Sequence, residues 1–560
     1  MARRTLAFIL ALLAGALAGT LADTAAAAPR QLTIGITQFP SNFHPNIDSM
    51  MAKKYVLSMA QRPFTAYDSD WELVCMLCTE LPTLENGLAE IEPLADGGEG
   101  IALTYTIQPD ATWGDGTPVT TDDVLFTLEV GKHPGSGVTN AELYRRILEI
   151  DVVDDKTFVM HVDRVTFEYN AINDFELIPA HLERARFEAD PSTYRNRTLF
   201  DTDTTNPGLW FGPYKITAVA PGASVTLEPN PTFYGESPYF ERIVVKAIEN
   251  TAALEANLLS GSIDMIPGEV GLTVDQALAF EKRHGDAYRI TYKPGLVYEH
   301  VDLMLDDPVL ADRRVREALI LGLDRQALSE QLFEGRQPVA HTSVSPLDWV
   351  HADDIPHYEE DLERAAALLD EAGYADLRNG IRQGPDGRRL AFTLMTTAGN
   401  RSRELVEQVL QSQWKRLGIE VRIENEPARV FFGETTSKRR FDHMAMFAWI
   451  SSPENVPRST LHSEEIPSEA NGWSGQNYTG FQNAEMDQLL DDIERELDRE
   501  KRKAMWRRIQ EIYASELPAL PLYFRADAHV WPLWLEGVVP TGHQDPSTLR
   551  IETWHAADPA

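Results

Sequence analysis

The sequence is poor in the residues and motifs that mark metal sites and common enzyme classes. Only two of its 560 residues are cysteine, and no paired Cys/His spacing would complete a structural zinc site. The G-x-S-x-G elbow, the H-E-x-x-H helix, the P-loop and the dinucleotide-binding glycine pattern are also absent. The segment Gly472-Trp-Ser474-Gly475 fails the elbow pattern at Gln476. We therefore predict a protein that is not an enzyme and needs no metal or other cofactor.

Basic residues are scarce relative to acidic ones. Lysine and arginine number 51 against 86 aspartate and glutamate residues, which gives a formal net charge of −35. Nucleic acid is therefore not expected as a partner, because phosphate binding requires a basic face. Hydrophobic residues at 43% and charged residues at 24% indicate a soluble globular protein. The length is enough for roughly three or four domains.

One long apolar run occurs, near the N-terminus. Leu6 to Leu21 follows Arg3-Arg4 and precedes the small residues Ala25 to Ala28. This pattern predicts a secretory signal peptide, and the run is short for a retained membrane anchor. No cysteine follows the run, so a lipoprotein anchor is not supported. We expect export to the periplasm of a bacterium with two membranes.

The two cysteines, Cys75 and Cys78, are separated by two residues. In an oxidising compartment this spacing favours a disulfide across a small loop. A redox-active C-x-x-C motif is the alternative, but it needs a helix start and a lowered thiol pKa. Leu81-Pro82 close behind disfavours a long helix there, so we expect a structural disulfide.

The stretch 302–325, DLMLDDPVLADRRVREALILGLDR, carries a recognisable pattern. It predicts a strand, an Asp-Asp-Pro turn and a helix capped by Asp312, with another helix after Asp324. The arrangement resembles the D-x-R-V-R-x-A-L and D-R signature of the extracellular solute-binding proteins of family 5. Members of that family serve peptide and nickel ABC importers.

Two arginines stand at the start of the first of these helices, where the helix dipole disfavours cations. Arg313 and Arg314 therefore predict an acidic neighbour, and Asp302 or Asp306 is the expected partner. A solvated charged turn is the alternative.

Further segments match the same family in family order. The stretch from Trp113 to Val124, WGDGTPVTTDDV, matches the family's most recognisable segment and predicts a glycine turn followed by a capped helix. The other matching segments are 208–214, 230–235, 262–265, 358–374 and 517–523. The resemblance implies an α/β fold like the type II periplasmic-binding proteins, with two lobes that close on a cleft and an extra subdomain in the first lobe.

The resemblance also implies the order of the segments. The expected segments are a signal peptide (1–28), the first part of lobe I (29–65), its extra subdomain (66–204), its second part (205–288), lobe II (289–520) and a C-terminal return to lobe I (521–560). Hinge strands are expected near Gly212 and near the crossings at Pro294 or Pro521.

Loops that follow predicted strands are the expected ligand-binding positions, as in other open α/β folds. The candidates are Phe43, His44 and Asn46 after the first strand, Trp210 and Phe211 in segment 208–214, Asn400 and Arg401 between a strand and a helix, Trp449, Ser451, Ser452 and Glu454 at the end of a buried strand, and Trp473 in a loop like the family's N-x-x-G-Y loop. For the first five of these residues, ordinary loop or core packing is the alternative.

The charges that hold the ends of a dipeptide are missing. Similar dipeptide-binding proteins place the ligand's ammonium on an aspartate and its carboxylate on an arginine. The corresponding positions here are Ser452 and a position near Thr397. Either Glu454 and Arg401 substitute after a small shift, or the ligand lacks free termini. Arginine's two-pronged geometry suits carboxylates, so this departure leaves the substrate open.

The resemblance implies the periplasmic substrate-binding component of an ABC importer. A small solute, expected to be a peptide, is captured between the lobes of a monomer and delivered to an ABC permease in the inner membrane. Backbone hydrogen bonds and water-filled pockets for side chains are the expected binding chemistry. One alternative is a non-peptide solute, such as an oligosaccharide, an opine or a metal chelate, on the same fold. The other is a sensor or chaperone that does not take part in import.

Overall fold

A computed structural model describes residues 30–95 and 97–557. The predicted signal peptide, 1–28, lies outside the described residues. In the part of the chain that is described, no helix is both long enough and apolar enough to cross a membrane.

Strands and helices are interspersed along the chain. The strands are β1 (Gln31–Ile36), β2 (Thr65–Tyr67), β3 (Leu73–Cys75), β4 (Ala89–Pro93), β5 (Glu99–Thr106), β6 (Ile147–Val152), β7 (Thr157–Val162), β8 (Tyr214–Ala220), β9 (Ser224–Pro229), β10 (Arg242–Ala247), β11 (Tyr288–Leu303), β12 (Asp376–Arg378), β13 (Ile381–Gln383), β14 (Ala391–Met395), β15 (Glu420–Ile423), β16 (Met444–Ile450), β17 (Ala519–Pro532), β18 (Leu535–Glu536) and β19 (His555–Ala556). The α-helices are α1 (Met51–Leu57), α2 (Thr121–Lys132), α3 (Ala141–Arg146), α4 (Ala180–Ala189), α5 (Leu199–Thr202), α6 (Thr251–Leu259), α7 (Val274–His284), α8 (Arg313–Leu321), α9 (Arg325–Phe333), α10 (Leu362–Glu371), α11 (Arg401–Arg416), α12 (Ala428–Val430), α13 (Arg458–Leu461), α14 (Ala484–Ile493) and α15 (Arg499–Glu516).

The first lobe is built on a four-stranded sheet in the order β1-β10-β9-β8. β1 pairs with β10 in parallel, and the other pairs are antiparallel. Five of the six β1 residues are buried, as expected for a strand covered on both faces. Ile34 of β1, Tyr55 of α1 and the distant Trp554 share one hydrophobic core, so the C-terminal residues pack in this lobe.

A second sheet, β4-β5-β7-β6, is antiparallel throughout and forms the extra subdomain of the first lobe. Buried and half-exposed residues alternate along much of β5, and Tyr105 joins a core that contains Trp113. α2 begins at Thr121 after a capping box formed by Thr120 and Asp123. The predicted capped helix is confirmed, and β6 and β7 form an antiparallel hairpin.

The second lobe is built on a mixed five-stranded sheet in the order β15-β14-β16-β11-β17. β14 pairs in parallel with β15 and β16, and α11 connects β14 to β15 in a β-α-β unit. β11 pairs antiparallel with β16 and β17. The buried indole of Trp414 on α11 donates to the Leu319 carbonyl of α8 at 2.8 Å, which joins these helices over one face of the sheet.

Two long strands, β11 and β17, run from one lobe into the other. They pair along most of their lengths, with a register shift between Pro294 and Tyr298. Val530 near the end of β17 bridges to Ile266 of the first lobe, whereas the start of β17 lies in the second-lobe sheet. A register shift bends and twists a strand pair locally, so the chain passes between the lobes at this irregularity.

The predicted strand before the Asp-Asp-Pro turn is confirmed, and its residues 301–303 are the end of the 16-residue β11. One expectation about the hinges is wrong. Gly212 is not a hinge, because its N–H donates to the Ala60 carbonyl at 2.8 Å within the first lobe. A Cβ on Gly212 would meet the Ala60 backbone at 2.5 Å. Close backbone approach therefore explains this glycine.

The segment that resembles the family signature forms the end of β11, a turn and the helices α8 and α9. Asp312 caps α8, since it accepts from the Arg314 amide at 3.0 Å and pairs with the Arg314 guanidinium at 2.7 Å. Arg313 donates to a backbone carbonyl of α15. The expected partners Asp302 and Asp306 are therefore wrong, because nearer acceptors satisfy both arginines.

Candidate ligand-binding site

The alternation of side chains along β11 places Tyr298, His300 and Asp302 on one face of the strand. The neighbouring strand β16 adds Trp449 to that face, because Trp449 stands directly opposite Tyr298. Val301, between them, points into the helix-covered core. Two adjacent strands thus bring three aromatic rings and one carboxylate together on the side of the sheet away from that core.

The three rings stack in sequence. The Tyr298 and His300 rings are nearly parallel, 7° apart, with centroids separated by 5.0 Å. The His300 and Trp449 rings are 15° apart with centroids at 6.3 Å. The Tyr298 hydroxyl lies 2.8 Å from the Tyr513 hydroxyl, and this hydrogen bond fixes the position of the Tyr298 ring. Such a stack gives a ligand a flat apolar wall.

A cavity of about 230 Å³ lies beside this stack, at the carboxyl end of β16. The loop that follows β16 lines it with Ser451 and Ser452, and Asp348 supplies a carboxylate. Further hydroxyl and amide groups on its walls come from Ser343, Ser345, Asn455, Ser459, Thr460 and Gln476. Aromatic walls with many uncharged hydrogen-bonding groups suit a polar main chain better than a purely apolar ligand.

A smaller pocket of about 30 Å³ adjoins the cavity and shares Tyr298, Trp449 and Gln476 with it. His300 and Asp302 line its inner end, and they are only 1% and 4% exposed. The Nε2 atom of His300 lies 3.2 Å from Asp302 Oδ1, yet it makes no hydrogen bond. The pocket therefore ends on two buried polar groups that do not satisfy each other.

Glu454, one of the predicted ligand-binding residues, is already engaged by protein groups. Its carboxylate pairs with Arg502 at 2.6 Å and accepts from the Trp349 indole at 3.1 Å. Its backbone N–H donates to Asp348 at 2.7 Å, and its φ of 53° lies in the left-handed region. The substitution of Glu454 for the missing aspartate near Ser452 is therefore not supported.

The other predicted substitute, Arg401, is exposed at the first turn of α11, and Asn400 caps that helix. The arginine that does lie near Thr397 is Arg403, which donates to the Thr397 hydroxyl at 3.1 Å. Arg403 is buried and pairs with Glu299 at 2.6 Å. A positive charge is thus present where a carboxylate clamp was expected, but it is buried and already paired with a protein carboxylate.

Sequence reasoning missed Glu299 and Arg403. A signal was available, because the charged residue Glu299 lies within a buried strand, between the buried residues Tyr298 and His300. A buried carboxylate needs a cationic partner, so Glu299 predicted a buried arginine or lysine without identifying which one.

The two lobes touch beyond the connecting strands. The Phe167 amide of the first lobe donates to the Glu494 carbonyl of the second at 3.0 Å. Arg499 pairs with Glu72 at 2.9 Å across the same boundary. The Arg502 guanidinium lies 4.8 Å from the centre of the Phe167 ring. The lobes are therefore in contact close to the loop that carries Glu454.

The space at this boundary is acidic. Burial and the carboxylates of Glu168, Glu454 and Asp348 raise the pKa of Tyr67 in the first lobe. The Glu168 side chain still meets solvent, but the enclosing protein and the neighbouring Glu454 raise the pKa of Glu168 to about 7. Burial raises the pKa of Asp348 to about 6. Carboxyl groups from both lobes thus lie near the second-lobe cavity, and their charged forms are disfavoured there.

A sequence model described as "Bacterial extracellular solute-binding proteins, family 5 Middle" matches residues 84–466. The protein belongs to this family. The match covers more than half of the chain and includes most of the segments that carried the resemblance. The expected mixed α/β fold with two lobes is confirmed, and the family is a class of solute-binding proteins.

Individual known proteins are similar to this one over most of the chain. The "Oligopeptide-binding protein AppA" of Bacillus subtilis (strain 168) is 26% identical over 481 residues, which is 84% of this chain and 83% of that protein. The structure of an oligopeptide binding protein from Thermus thermophilus complexed with pentapeptide is 30% identical, with a TM-score of 0.68, and covers 94% of this chain and 96% of that one. NikZ from Campylobacter jejuni, in complex with Ni(L-His), shares the fold at 20% identity and a TM-score of 0.70, over 94% of this chain and 100% of that one.

In this family 5 protein, Phe43 and His44 lie in the packed interior of the first lobe. Phe43 belongs to its main core, and the His44 ring contacts the rings of Tyr194 and Phe200 at centroid distances of 5.7 and 5.0 Å. Burial lowers the pKa of His44 to about 3. These residues line neither second-lobe cavity, so the packing alternative describes them better than ligand contact does.

Trp210 and Phe211 are also fully buried, in the two cores of the first lobe. The Trp210 indole donates to the Thr204 carbonyl at 2.9 Å, and the Phe211 ring packs on Trp113 at 4.8 Å. Their burial favours the packing alternative over ligand contact, because large rings with satisfied polar atoms fill the core here.

Asn46 lines a separate cavity of about 370 Å³ in the first lobe. Its amide donates to the Glu176 carbonyl at 2.8 Å. Lys54 pairs there with Asp545 at 2.8 Å. Burial lowers the pKa of Lys53 to about 8 and raises the pKa of Glu176 to about 7. The charged groups of this cavity are largely offset by one another, and a role for Asn46 in binding stays a prediction.

Trp473 has a φ of 65°, and the Arg440 guanidinium lies 6.0 Å from the centre of the Trp473 ring. It lines neither second-lobe cavity, whereas Gln476 of the same loop lines both. The loop thus approaches the site through Gln476 instead of Trp473.

The sulfur atoms of Cys75 and Cys78 are joined in a disulfide, with the two Cα atoms 5.2 Å apart. Cys78 is fully buried in the subdomain core, and Cys75 ends β3. The disulfide therefore closes the turn that leaves the short β2–β3 hairpin.

Proposed function

We propose that this protein is the periplasmic substrate-binding component of an ABC importer. It captures a peptide-like solute between its lobes as a monomer, after export directed by residues 1–28, and presents the closed form to a permease of the inner membrane. The lobes close by bending at the irregular part of the β11–β17 pair, where strand contacts are weakest.

One observation carries the proposal. A cavity with an aromatic wall and many uncharged hydrogen-bonding groups opens at the carboxyl end of β16, in a family 5 fold. AppA is named an oligopeptide-binding protein, and the Thermus relative holds a pentapeptide. Trp449, Ser451 and Ser452 at the end of β16 are our principal ligand-binding residues.

The chemistry of the site bears on how a peptide would be held. Arg403 is paired with Glu299, and Glu454 is paired with Arg502. Neither is available to clamp a free terminus of a dipeptide. The ligand's main chain is therefore bound through hydroxyl, amide and backbone groups, with water filling unoccupied space. This mode accepts ligands longer than two residues, because no charge fixes the position of either end.

The direct test is to purify the protein from its native periplasm, denature it and identify any released molecule by mass spectrometry. Recovery of peptides supports the proposal. Recovery of an oligosaccharide, an opine or a metal chelate would identify that solute, instead of a peptide, as the ligand. Uptake of a labelled form of the recovered ligand, measured with and without the gene, separates import from sensing, because a sensor or chaperone would bind without being needed for uptake.

A further inference from the structure

The inner pocket beneath Trp449 has no role in holding a peptide main chain, because it is too small and lies too deep. Its volume of about 30 Å³ has room for one or two groups the size of a water molecule. The Asp302 carboxylate and the His300 imidazole stand at its inner end, both nearly inaccessible to bulk solvent. A group that enters this pocket must therefore be small and must satisfy a buried carboxylate.

Asp302 lacks the partners that a buried carboxylate normally has. Within residues 30–95 and 97–557, the basic group in contact with its carboxylate is the His300 imidazole, whose Nε2 lies at 3.2 Å and makes no hydrogen bond. A second basic group in this region is Arg325, whose charge, like that of Asp302, affects the pKa of Tyr298. The Arg325 guanidinium is bound to the backbone carbonyls of Ala340, Pro521 and Tyr358 and does not pair with Asp302. A buried charge without a well-aligned hydrogen-bonded partner is costly, and a ligand cation would offset that cost.

The route to Asp302 also suits a particular side chain. A ligand group must pass along the Trp449 and Tyr298 rings, which favour both an aliphatic stem and a cation at their faces. An ammonium has about the size of a water molecule and fits the inner pocket. A guanidinium has four heavy atoms in a plane and does not fit in the same space.

We propose that this pocket binds the ammonium of a lysine side chain in the ligand, with Asp302 as its counter-ion, so that the protein selects lysine-bearing peptides. The inference rests on the proposed function, since it names the class of peptide that the same site takes.

Calorimetry with three sets of tripeptides tests the inference. Each set places one variable residue at the first, second or third position among alanines, and the variable residue is lysine, arginine or norleucine. Norleucine keeps the aliphatic stem and lacks the charge. We expect the best lysine peptide to bind about 10- to 100-fold tighter than the matching norleucine peptide, and tighter than the arginine peptide.

Two pairs of variants locate the effect. Asp302→Asn should bring the lysine and norleucine peptides to equal affinity, whereas Asp442→Asn, an exposed carboxylate before β16, removes the same charge and should leave the preference intact. Because Asp302 is buried, a change at the pocket rim gives an independent check. Gln476→Lys at this exposed position should compete for Asp302 and weaken binding of the lysine peptide about tenfold, and Gln476→Met should not.

The outcomes separate this inference from the proposed function. Equal binding of lysine and norleucine peptides by the unmodified protein overturns the lysine pocket and leaves peptide binding intact. A lysine preference that survives Asp302→Asn overturns the assignment to Asp302. Failure of every tripeptide to bind, with the recovery of a non-peptide solute from the native protein, overturns both.

Discussion

Glu299 holds two arginines in the second lobe, and its replacement by glutamine should destabilise that lobe. The Glu299 side chain is fully buried on β11 and pairs with Arg403 at 2.6 Å and with Arg525 at 2.5 Å. Glu299→Gln keeps the shape of the side chain and one acceptor oxygen. It removes the negative charge that stands between two cations, so any change in stability reports that charge.

The size of the effect follows from the exposure of the two arginines. Loss of one partner of a buried ion pair costs about 3–5 kcal/mol, because the remaining charge stays buried without compensation. Arg403 is only 8% exposed but keeps the Thr397 hydroxyl, and Arg525 is 37% exposed and can turn towards solvent. These features reduce the penalty, so we expect a loss of about 2–4 kcal/mol in the free energy of unfolding. For a cooperatively unfolding unit of about 150–250 residues, that loss lowers the melting temperature by about 4–16 °C.

Urea unfolding followed by circular dichroism measures this loss. The double variant Glu299→Leu with Arg403→Met should recover most of the stability, since apolar groups of similar volume replace a buried pair with little penalty. Arg508→Gln breaks exposed pairs with Glu485 and Glu511 and serves as the control, with an expected change below about 0.5 kcal/mol. If Glu299→Gln unfolds at the same urea concentration as the unmodified protein, the reasoning about the buried charge is refuted.

Three further predictions concern the site, the disulfide and pH. Trp449→Ala should weaken ligand binding about 30-fold while unfolding stays cooperative, because the indole forms one wall of the cavity; unchanged affinity in calorimetry would remove Trp449 from the site. Replacement of Cys75 and Cys78 by serine should cost about 2 kcal/mol, since so small a loop removes little chain entropy; a melting temperature insensitive to reductant would contradict this. Burial lowers the pKa of His44 from 6.5 to about 3, so the unfolded chain binds more protons below pH 6.5. The stability from this source is complete above pH 6.5 and falls by about 2 kcal/mol on going to pH 5. The urea midpoint of the unmodified protein should therefore fall further between pH 7 and pH 5 than the midpoint of His44→Gln, and equal falls would show that His44 is protonated when folded.

Much of the fold is written in local sequence signals. Asp312 precedes an apolar stripe at helical spacing and caps α8, and Thr120 with Asp123 forms the capping box of α2. Signals of this kind act within a few residues, so they are visible without the tertiary structure. The long extent of β11 was not visible, because Pro294 and Gly295 interrupt its pattern just where the strand crosses between the lobes.

The candidate site was predicted in part, for a physical reason. Trp449, Ser451 and Ser452 follow directly from the position of a strand end, and they line the second-lobe cavity. In the sequence, Trp210 looks the same as an aromatic residue that binds a ligand. Its role depends on whether it is buried, and its burial depends on elements far away in the chain. The sequence suggests Asp302 as a partner for arginines because it lies close to Arg313 and Arg314 in the chain. That closeness does not show that the Asp302 side chain lies on the cavity side of β11.

The acidic groups link ligand choice to the closure of the lobes. Glu168 belongs to the first lobe and Glu454 to the second, and their proximity contributes to the raised pKa of Glu168. Bringing carboxylates together opposes closure, because like charges in a partly buried space repel. A cationic ligand that enters the site reduces this repulsion in the closed state and leaves the open state little changed. A ligand shifts a conformational equilibrium only by its difference in affinity for the two states, so a lysine-bearing peptide should favour the closed form more strongly than a neutral peptide that makes the same main-chain contacts.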